Sequence, residues 1–414
     1  MKAEILSIGS ELTSGKNLDT NSQWLSQQLA SLGIATGWHT TIADDLEMNL
    51  QAFSQALGRA GLVIVSGGLG PTLDDLTREV LASVSGCPLE FHTLSWEKIQ
   101  EMFARRNRPC PERNRTQAFF PLGAVPIPNA SGTAPGIWMH ISGRYLAALP
   151  GVPREMKAMF TTWVRPKLLE LGLAQGVILE RKLNTFGLGE SAIEEMLLDL
   201  TQRGREPEVG ITASDAVISL RIMARGETET AANERIAPVE KVIRERLGKL
   251  VYGTGDDGME EVVLRLLGEK KQTLAVAESV TGGNLAALLT RVPGASDHFL
   301  GSIVSYTNGV KQESLGISPL LLQEKGACSE EVTLAMAHSA RKVMKADFGL
   351  ATTGVAGPGD LSPGLPAGKV FSALAWADGE KVESIHWFGS RVEVQTRTAR
   401  LALNMLRLKL LEAN

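Results

Sequence analysis

The sequence predicts an α/β protein in three segments: a parallel-sheet domain over residues 1–165, a small α+β module over 166–252, and a second α/β domain over 259–414. Three observations point there. Short apolar runs alternate with helix-periodic stretches at both ends of the chain, as in parallel sheets covered by helices. The middle stretch breaks that alternation. Before the last segment, "VYGTGDDGME" is rich in glycine and aspartate, which reads as a linker near 252–258.

In the first segment "AEILSIG" reads as a strand, and "TNSQWLSQQLASLG" sets Trp24, Leu25, Leu29 and Leu32 on one helical face before Gly33. "AGLVIVSGGLG" is a continuous apolar strand running into glycines. "PTLDDLTREVLASVSG" predicts a helix with proline at its start, acids in its first turn and glycine at its end. In the middle, "RKLNTFGLGESAIEEMLLDL" suits a strand, a glycine turn and a helix. "VGITASDAVISLRIMARG" suits a strand pair, and "TETAANERIAPVEKVIRERLG" a helix that includes Pro238. This module carries no carboxylate or histidine cluster, and a structural or dimerising role is expected. The last segment opens with the amphipathic helix "MEEVVLRLLGEKK". Strands follow near 273–277, 300–306, 347–352 and 368–376, with helices near 283–291, 309–315, 329–345 and 391–411.

The 414 residues are 43% hydrophobic and 21% charged, with formal net charge −4. No basic excess or aromatic stripe marks a nucleic-acid footprint, so no nucleic-acid partner is expected. The apolar start "MKAEILSIGSEL" is too short for a signal peptide, and no stretch reaches membrane-spanning length. Cys87, Cys110 and Cys328 are scattered, with no CxxC pair, which fits a reducing compartment. A soluble cytoplasmic protein without a membrane partner is expected.

Polar residues crowd the stretch "LAVAESVTGGNLAALL". An apolar strand ends in Glu278 and Ser279, then Thr281, Gly282 and Gly283 precede a helix. Ligands of open parallel sheets sit beyond the carboxyl ends of strands. Glycines there allow a tight turn and leave N–H groups for a phosphate or a developing oxyanion. The next strand ends at Tyr306, after which Asn308 can cap a helix carrying Lys311 in its first turn. A lysine at the positive end of a helix dipole has a lowered pKa and can act as a base toward a serine hydroxyl. The third strand ends at Thr353 and Gly354, before a loop over 354–368 with eight Gly or Pro in fifteen residues. Each residue alone has an ordinary use: Ser279 or Thr281 as a helix cap, Lys311 as a solvated lysine, Tyr306 as packing. Three strand ends together favour a serine nucleophile with a Lys/Tyr base pair.

The blocks "AESVTGG", "VPGASDHFLGSIVSYTNGVK", "ACSEEVTLAMA" and "ATTGVAGP" resemble the carboxy-terminal α/β domain of the CinA family, the nicotinamide-nucleotide amidohydrolases, over about 259–410. The resemblance implies deamidation of nicotinamide mononucleotide to the nicotinic acid form and ammonia, without a cofactor. It implies Ser279 as nucleophile, Tyr306 and Lys311 as its activating partners, and Thr353 as a contact in the nucleotide pocket. Glu278, Thr281, Gly282, Gly283 and Gly354 fall beside these as substrate-binding candidates. "FGSR" is similar to the family's phosphate-proximal Gly-x-Arg, which adds Arg391. Val280 stands where a cysteine is common and Gly309-Val310 where Glu-Ala is usual, and neither departure removes a reactive group.

In the first segment "VSGGLGPTLDDLTRE" gathers Gly67, Gly68 and Gly70, whose N–H groups can approach a phosphate, with Thr72, Asp74, Asp75 and Thr77. The carboxylates Asp74 and Asp75 can bind a hard divalent cation. Glu11, Asp19 and Asn21 follow the first strand. "GSEL", "LDTN", "SGGLGPTLDDLTRE", "NRTQA", "NASGTAPG" and "LPGVPREM" resemble the molybdopterin-binding-like domain at the amino end of full-length CinA proteins, over 1–160. That resemblance implies ADP-ribose pyrophosphatase activity with a divalent metal ion such as Mg near Asp74 or Asp75, and a homodimer. Small-molecule nucleotides are thus the expected ligands. Two other readings stay open: a competence or damage-response scaffold with vestigial pockets, and an enzyme whose first segment is a ligand sensor.

Overall fold

The computed structural model describes residues 1–362 and 364–412. The chain forms two compact units, Met1–Leu179 with Ala224–Arg235, and Glu180–Met223 with Ile236–Asn414.

In the first unit a six-stranded sheet runs in the order Ala35–Ile42, Lys2–Ile8, Leu62–Ser66, Arg144–Leu149, Gly136–Ile141 and Val125–Ile127. The first four strands pair in parallel, and Gly136–Ile141 pairs antiparallel with both its neighbours, so Val125–Ile127 again runs in the direction of the first four. Leu62–Ser66 is buried along its length because side chains on both faces meet a core. Leu62 and Ile64 pack on one side with Leu25 and Phe160, while Val63 and Val65 pack on the other with Phe53 and Leu81. One expected element is corrected. The helix read from Pro71 begins at Thr77. Before it, the backbone N–H groups of Gly70 and Thr72 turn inward to the Asp75 carboxylate, at 2.7 and 2.9 Å, and the segment is a loop.

The middle module is a four-stranded sheet in the order Glu208–Ser214, Val217–Gly226, Val177–Phe186 and Val251–Thr254, accompanied by the Glu190–Met196 and Glu229–Leu247 helices. Asp215 and Ala216 both take positive φ between the first two strands, as a two-residue hairpin of matching twist requires.

The rest of the second unit is a five-stranded sheet in the order Phe299–Val304, Leu274–Glu278, Phe348–Gly354, Lys369–Trp376 and Gly379–His386. Leu274 and Val276 face one core, Ala275 and Ala277 the other. From the Leu274–Glu278 strand the chain passes to a parallel neighbour on one side, then to a parallel neighbour on the other. Loops beyond the carboxyl end of that strand therefore diverge and leave a crevice. The Gly379–His386 edge strand was not among the expected strands. Its "GEKVESIH" is mostly polar, as suits an edge blunted by charge, and carries no continuous apolar run.

The linker near 252–258 also needs correction. Val251–Thr254 is a strand of the middle sheet, and the Asn184 amide donates to the carbonyls of Gly255 and Asp257. Phe186 and Tyr252 pack into the carboxy-terminal core. Arg407, almost fully buried and with burial pushing its pKa down to about 10, donates to the Lys249 carbonyl at 2.6 Å and to Asn404. Middle sheet and carboxy-terminal sheet thus share one core. A fragment beginning at residue 180 is expected to melt at a higher temperature than one beginning at 259, which loses Phe186, Tyr252 and the acceptor of Arg407. Equal melting temperatures would show the two parts to be uncoupled.

Candidate active site

Glu278 is the last residue of its strand and is completely buried. Its carboxylate accepts from the N–H groups of Gly283, Leu285 and Ala286 at 2.9, 3.0 and 2.9 Å, and from the Ser302 hydroxyl at 3.0 Å. These donors offset the cost of burying the carboxylate and consume the amino end of the Asn284–Thr290 helix. Gly282 and Gly283 have φ of 61 and 98°, and a Cβ at either would find ordinary room. They are needed for backbone conformation, which lets the chain reverse within the turn. The expected roles therefore change: Glu278 folds the loop and does not face substrate, and the Gly283 N–H belongs to Glu278. The Gly282 N–H is likewise taken, by the Ser279 carbonyl.

The turn leaves Ser279 with its N–H on the Thr352 carbonyl and its Oγ within 3.0 Å of the Lys311 Nζ. Lys311 lies in the Asn308–Leu315 helix, whose cap is Thr307 and not the expected Asn308. Its side chain is 1% exposed, and Nζ donates to the Ser305 carbonyl at 2.7 Å. Burial lowers the lysine pKa, while the nearby Cys328 thiol acts in the raising direction. Desolvation, not the helix dipole, is the main cause. Ser305 was missed by sequence reasoning. It is wholly buried, bonds the Glu278 carbonyl through its own N–H at 2.7 Å, and presents the carbonyl that aims Lys311. Nothing in its residue type reveals a role that belongs to its backbone.

Ser279 and Lys311 open into a cavity of about 350 Å³, which Tyr306, Cys328, Gly354 and Arg391 also line. Tyr306 is 55% exposed, and its hydroxyl accepts from Arg391, with no bond to Ser279 or Lys311. Arg391 also donates to the Gly357 carbonyl at 2.8 Å, which spans the cavity mouth. It leads the Arg391–Leu410 helix behind the Ser390 cap. Two other expected contacts lie below the cavity wall: the Thr281 hydroxyl bonds Thr352, and the Thr353 hydroxyl donates to the Ala327 carbonyl. Among the described residues the N–H groups of Val280 and Thr281 have no hydrogen-bond partner, and Val280 lines the cavity. The arrangement offers a serine hydroxyl, a buried amine, free N–H groups and an exposed guanidinium.

In the first unit the glycine loop is packed against its own chain. A Cβ on Gly67 would lie 2.4 Å from the Ile8 carbonyl, on Gly68 2.3 Å from the Thr77 hydroxyl, and on Gly70 2.3 Å from Asp75. Asp75 accepts from the N–H groups of Gly70 and Thr72 and from the Thr72 hydroxyl. Arg78, buried beneath, donates to the Leu69 carbonyl, and burial lowers its pKa to about 10. Asp74 is exposed. Asp19 caps the Thr20–Ala30 helix; burial raises its pKa, but hydrogen bonds from Ser22 outweigh this and lower it. Asn21 donates to Ser66 and to the Gly151 carbonyl, and its buried Oδ1 has no partner. Glu11 is exposed in the short Ser10–Thr13 helix.

No group of three or more His, Cys, Asp or Glu gathers among the described residues, and Asp75 is committed to its loop. The exposed Asp74 is the carboxylate of this loop left open to solvent.

The chain is 39% identical over 411 residues to a CinA-like protein of Kosmotoga olearia, covering 99% of each. It is 42% identical over 419 residues to a CinA-like protein of Frankia casuarinae, covering 98% of this chain and 96% of the relative. The chain belongs to the CinA family. The model of the CinA C-terminal domain matches residues 256–410, which hold the Ser279 cavity. That described as "Probable molybdopterin binding domain" matches 4–170, and that of the damage-inducible protein CinA KH domain matches 180–253. A solved CinA structure from Thermoplasma acidophilum is 31% identical, covering 40% of this chain and 96% of its own, with TM-score 0.38. KH modules clamp nucleic acid through a Gly-x-x-Gly loop. Here the turn into the Glu190–Met196 helix reads Gly187-Leu188-Gly189-Glu190, with Glu194 and Glu195 following.

The two carboxylates of the glycine loop should respond differently to amidation. Asp75→Asn replaces one of the two oxygens that take three donors by an NH2 group and is expected to cost about 2 kcal/mol of stability, whereas Asp74→Asn should lower the melting temperature less. Thermal melts of both variants check this; equal effects would return Asp75 to the role of a free ligand.

Proposed function

We propose that the Ser279 cavity hydrolyses the carboxamide of nicotinamide mononucleotide to nicotinic acid mononucleotide and ammonia. The observation that carries this reading is the buried Lys311 amine at 3.0 Å from the Ser279 hydroxyl. With its pKa lowered by burial, the neutral amine takes the hydroxyl proton as Oγ attacks the carboxamide carbon. The N–H of Val280 offers a donor for the resulting oxyanion. Collapse of that intermediate breaks the C–N bond, Lys311 returns the proton to the departing nitrogen, and ammonia leaves. Water then attacks the acyl–Ser279 ester, again losing its proton to Lys311; the C–Oγ bond breaks, Lys311 returns that proton to Oγ, and the acid is released. Arg391 at the mouth suits the nucleotide phosphate, and Tyr306 braces Arg391.

Ser279→Ala and Lys311→Met should each lower ammonia release by several orders of magnitude while circular dichroism stays native. The sign of the pH dependence follows from the base. Protonated Lys311 cannot accept a proton, so the rate rises as pH climbs through the lowered lysine pKa. That rising limb should vanish in Lys311→Met. A folded Ser279→Ala protein with normal turnover would overturn the mechanism and leave Ser279 as a turn residue.

The first unit supports a second reading, cleavage of ADP-ribose at the Gly67–Asp75 loop. The buried, unpartnered Oδ1 of Asn21 beside Ser66 and Gly151 favours a ligand there, since such an acceptor lacks a donor in the protein. Asn21→Leu should weaken ADP-ribose turnover at least tenfold without affecting ammonia release. Unchanged ADP-ribose turnover would overturn this reading alone.

A further inference from the structure

The Ser279 cavity holds a carboxylate that the reaction proposed above does not use. Asp360 lines it and is the one carboxylate among its described lining residues. Arg391 lines the same cavity and is exposed, as Asp360 is, whereas Ser279 and Lys311 are buried. The cavity thus has a reacting end below and a charged end at its mouth.

Asp360 is mounted by its own loop. One carboxylate oxygen accepts the Ala367 N–H at 2.8 Å, and the Ala367 carbonyl accepts from the His386 Nε2 at 2.9 Å. The edge strand Gly379–His386 therefore fixes the point to which Asp360 is tied. Nearby, the Leu361 N–H donates to the Leu365 carbonyl at 3.0 Å. A Cβ on Gly368 would lie 2.0 Å from the Trp387 carbonyl, so the end of the loop is closely packed. A carboxylate held in this way loses little freedom on binding.

The second oxygen of Asp360 has no hydrogen-bond partner among the described residues, and no ion pair joins Asp360 to Arg391 among them. The cavity mouth therefore offers a cation and an acceptor that do not neutralise each other. Gly357, whose carbonyl accepts from Arg391 at 2.8 Å, lies on the same loop just before Asp360. With a carboxamide at Ser279 and a phosphate at Arg391, covalent order puts the ribose between them, beside this loop. A carboxylate repels a phosphate, so the ligand group facing Asp360 must be a donor. The sugar hydroxyls are such donors, and acidic side chains take ribose hydroxyls in dinucleotide sites.

We propose that Asp360 is a specificity-determining residue that accepts a hydrogen bond from the 2′- or 3′-hydroxyl of the substrate ribose. This assignment rests on the nicotinamide mononucleotide reading of the same cavity. It makes the cavity selective for the sugar as well as for the carboxamide.

In the Ser279→Ala chain, where no turnover intervenes, calorimetry with nicotinamide mononucleotide and with its 2′,3′-dideoxy analogue reads the contact directly. Adding Asp360→Ala should weaken nicotinamide mononucleotide roughly tenfold or more. The analogue, which has no hydroxyl to lose, should bind both chains equally. With Ser279 present, Asp360→Ala should raise KM and leave kcat nearly unchanged. Equal weakening of both ligands would reduce Asp360 to a brace of its loop, and unchanged affinity for nicotinamide mononucleotide would remove the contact; either result overturns the assignment. Hydroxyl-dependent binding by a chain that releases no ammonia would support the sugar contact while overturning the proposed reaction. Absence of any nicotinamide mononucleotide binding would overturn both.

Discussion

A buried carboxylate governs the carboxy-terminal site. Among the described residues Glu278 has no cationic partner, and its oxygens are met by three backbone N–H groups and a serine hydroxyl. Removing a carboxylate from water is costly, so a loop that supplies four donors at once is held in one shape. That shape determines where Ser279 points. The Glu278 carbonyl then receives the Ser305 N–H, and the Ser305 carbonyl receives the Lys311 ammonium or amine. Ser279 and Lys311 are thus linked through the backbone of one glutamate, with the two strand ends as rigid mounts.

The first unit uses the same device at Asp75. There too a carboxylate gathers the N–H groups of a glycine-containing loop before a helix, and there too the loop is fixed before any ligand arrives. A carboxylate that folds a loop and one that binds a metal occupy similar sequence contexts, because both need nearby glycines and a helix start. The difference lies in which way the N–H groups turn. In both units they turn inward, so the acids serve the fold and the free N–H groups fall elsewhere, at Val280 and Thr281 in the second unit.

This explains what was legible in the sequence. Alternating apolar and helical stretches revealed the two α/β sheets, because burial on both faces forces runs such as "LVIV" and "LAVA". The proximity of Ser279 and Lys311 was legible because strand ends of one parallel sheet converge by topology. Contacts made by backbone atoms were not: the Ser305 carbonyl, the Thr307 cap and the inward turn at Gly283 leave no mark in residue type. The Gly379–His386 strand escaped notice because edges are polar by necessity. The linker near 252–258 was misjudged since its small and acidic residues conceal a strand, while its anchor, Arg407, lies far along the chain.

Burial as the means of lowering the Lys311 pKa has a structural consequence. An amine whose pKa is lowered by desolvation needs its surroundings to stay dry, whereas one lowered by a neighbouring cation does not. Here the Arg391 guanidinium reaches from the helix start to both Tyr306 and the Gly357 carbonyl, holding the glycine- and proline-rich loop over the cavity. A phosphate arriving at Arg391 competes for the same N–H donors that hold this loop and Tyr306. Under the proposed reaction, substrate capture and loop placement are therefore coupled through the one Arg391 side chain.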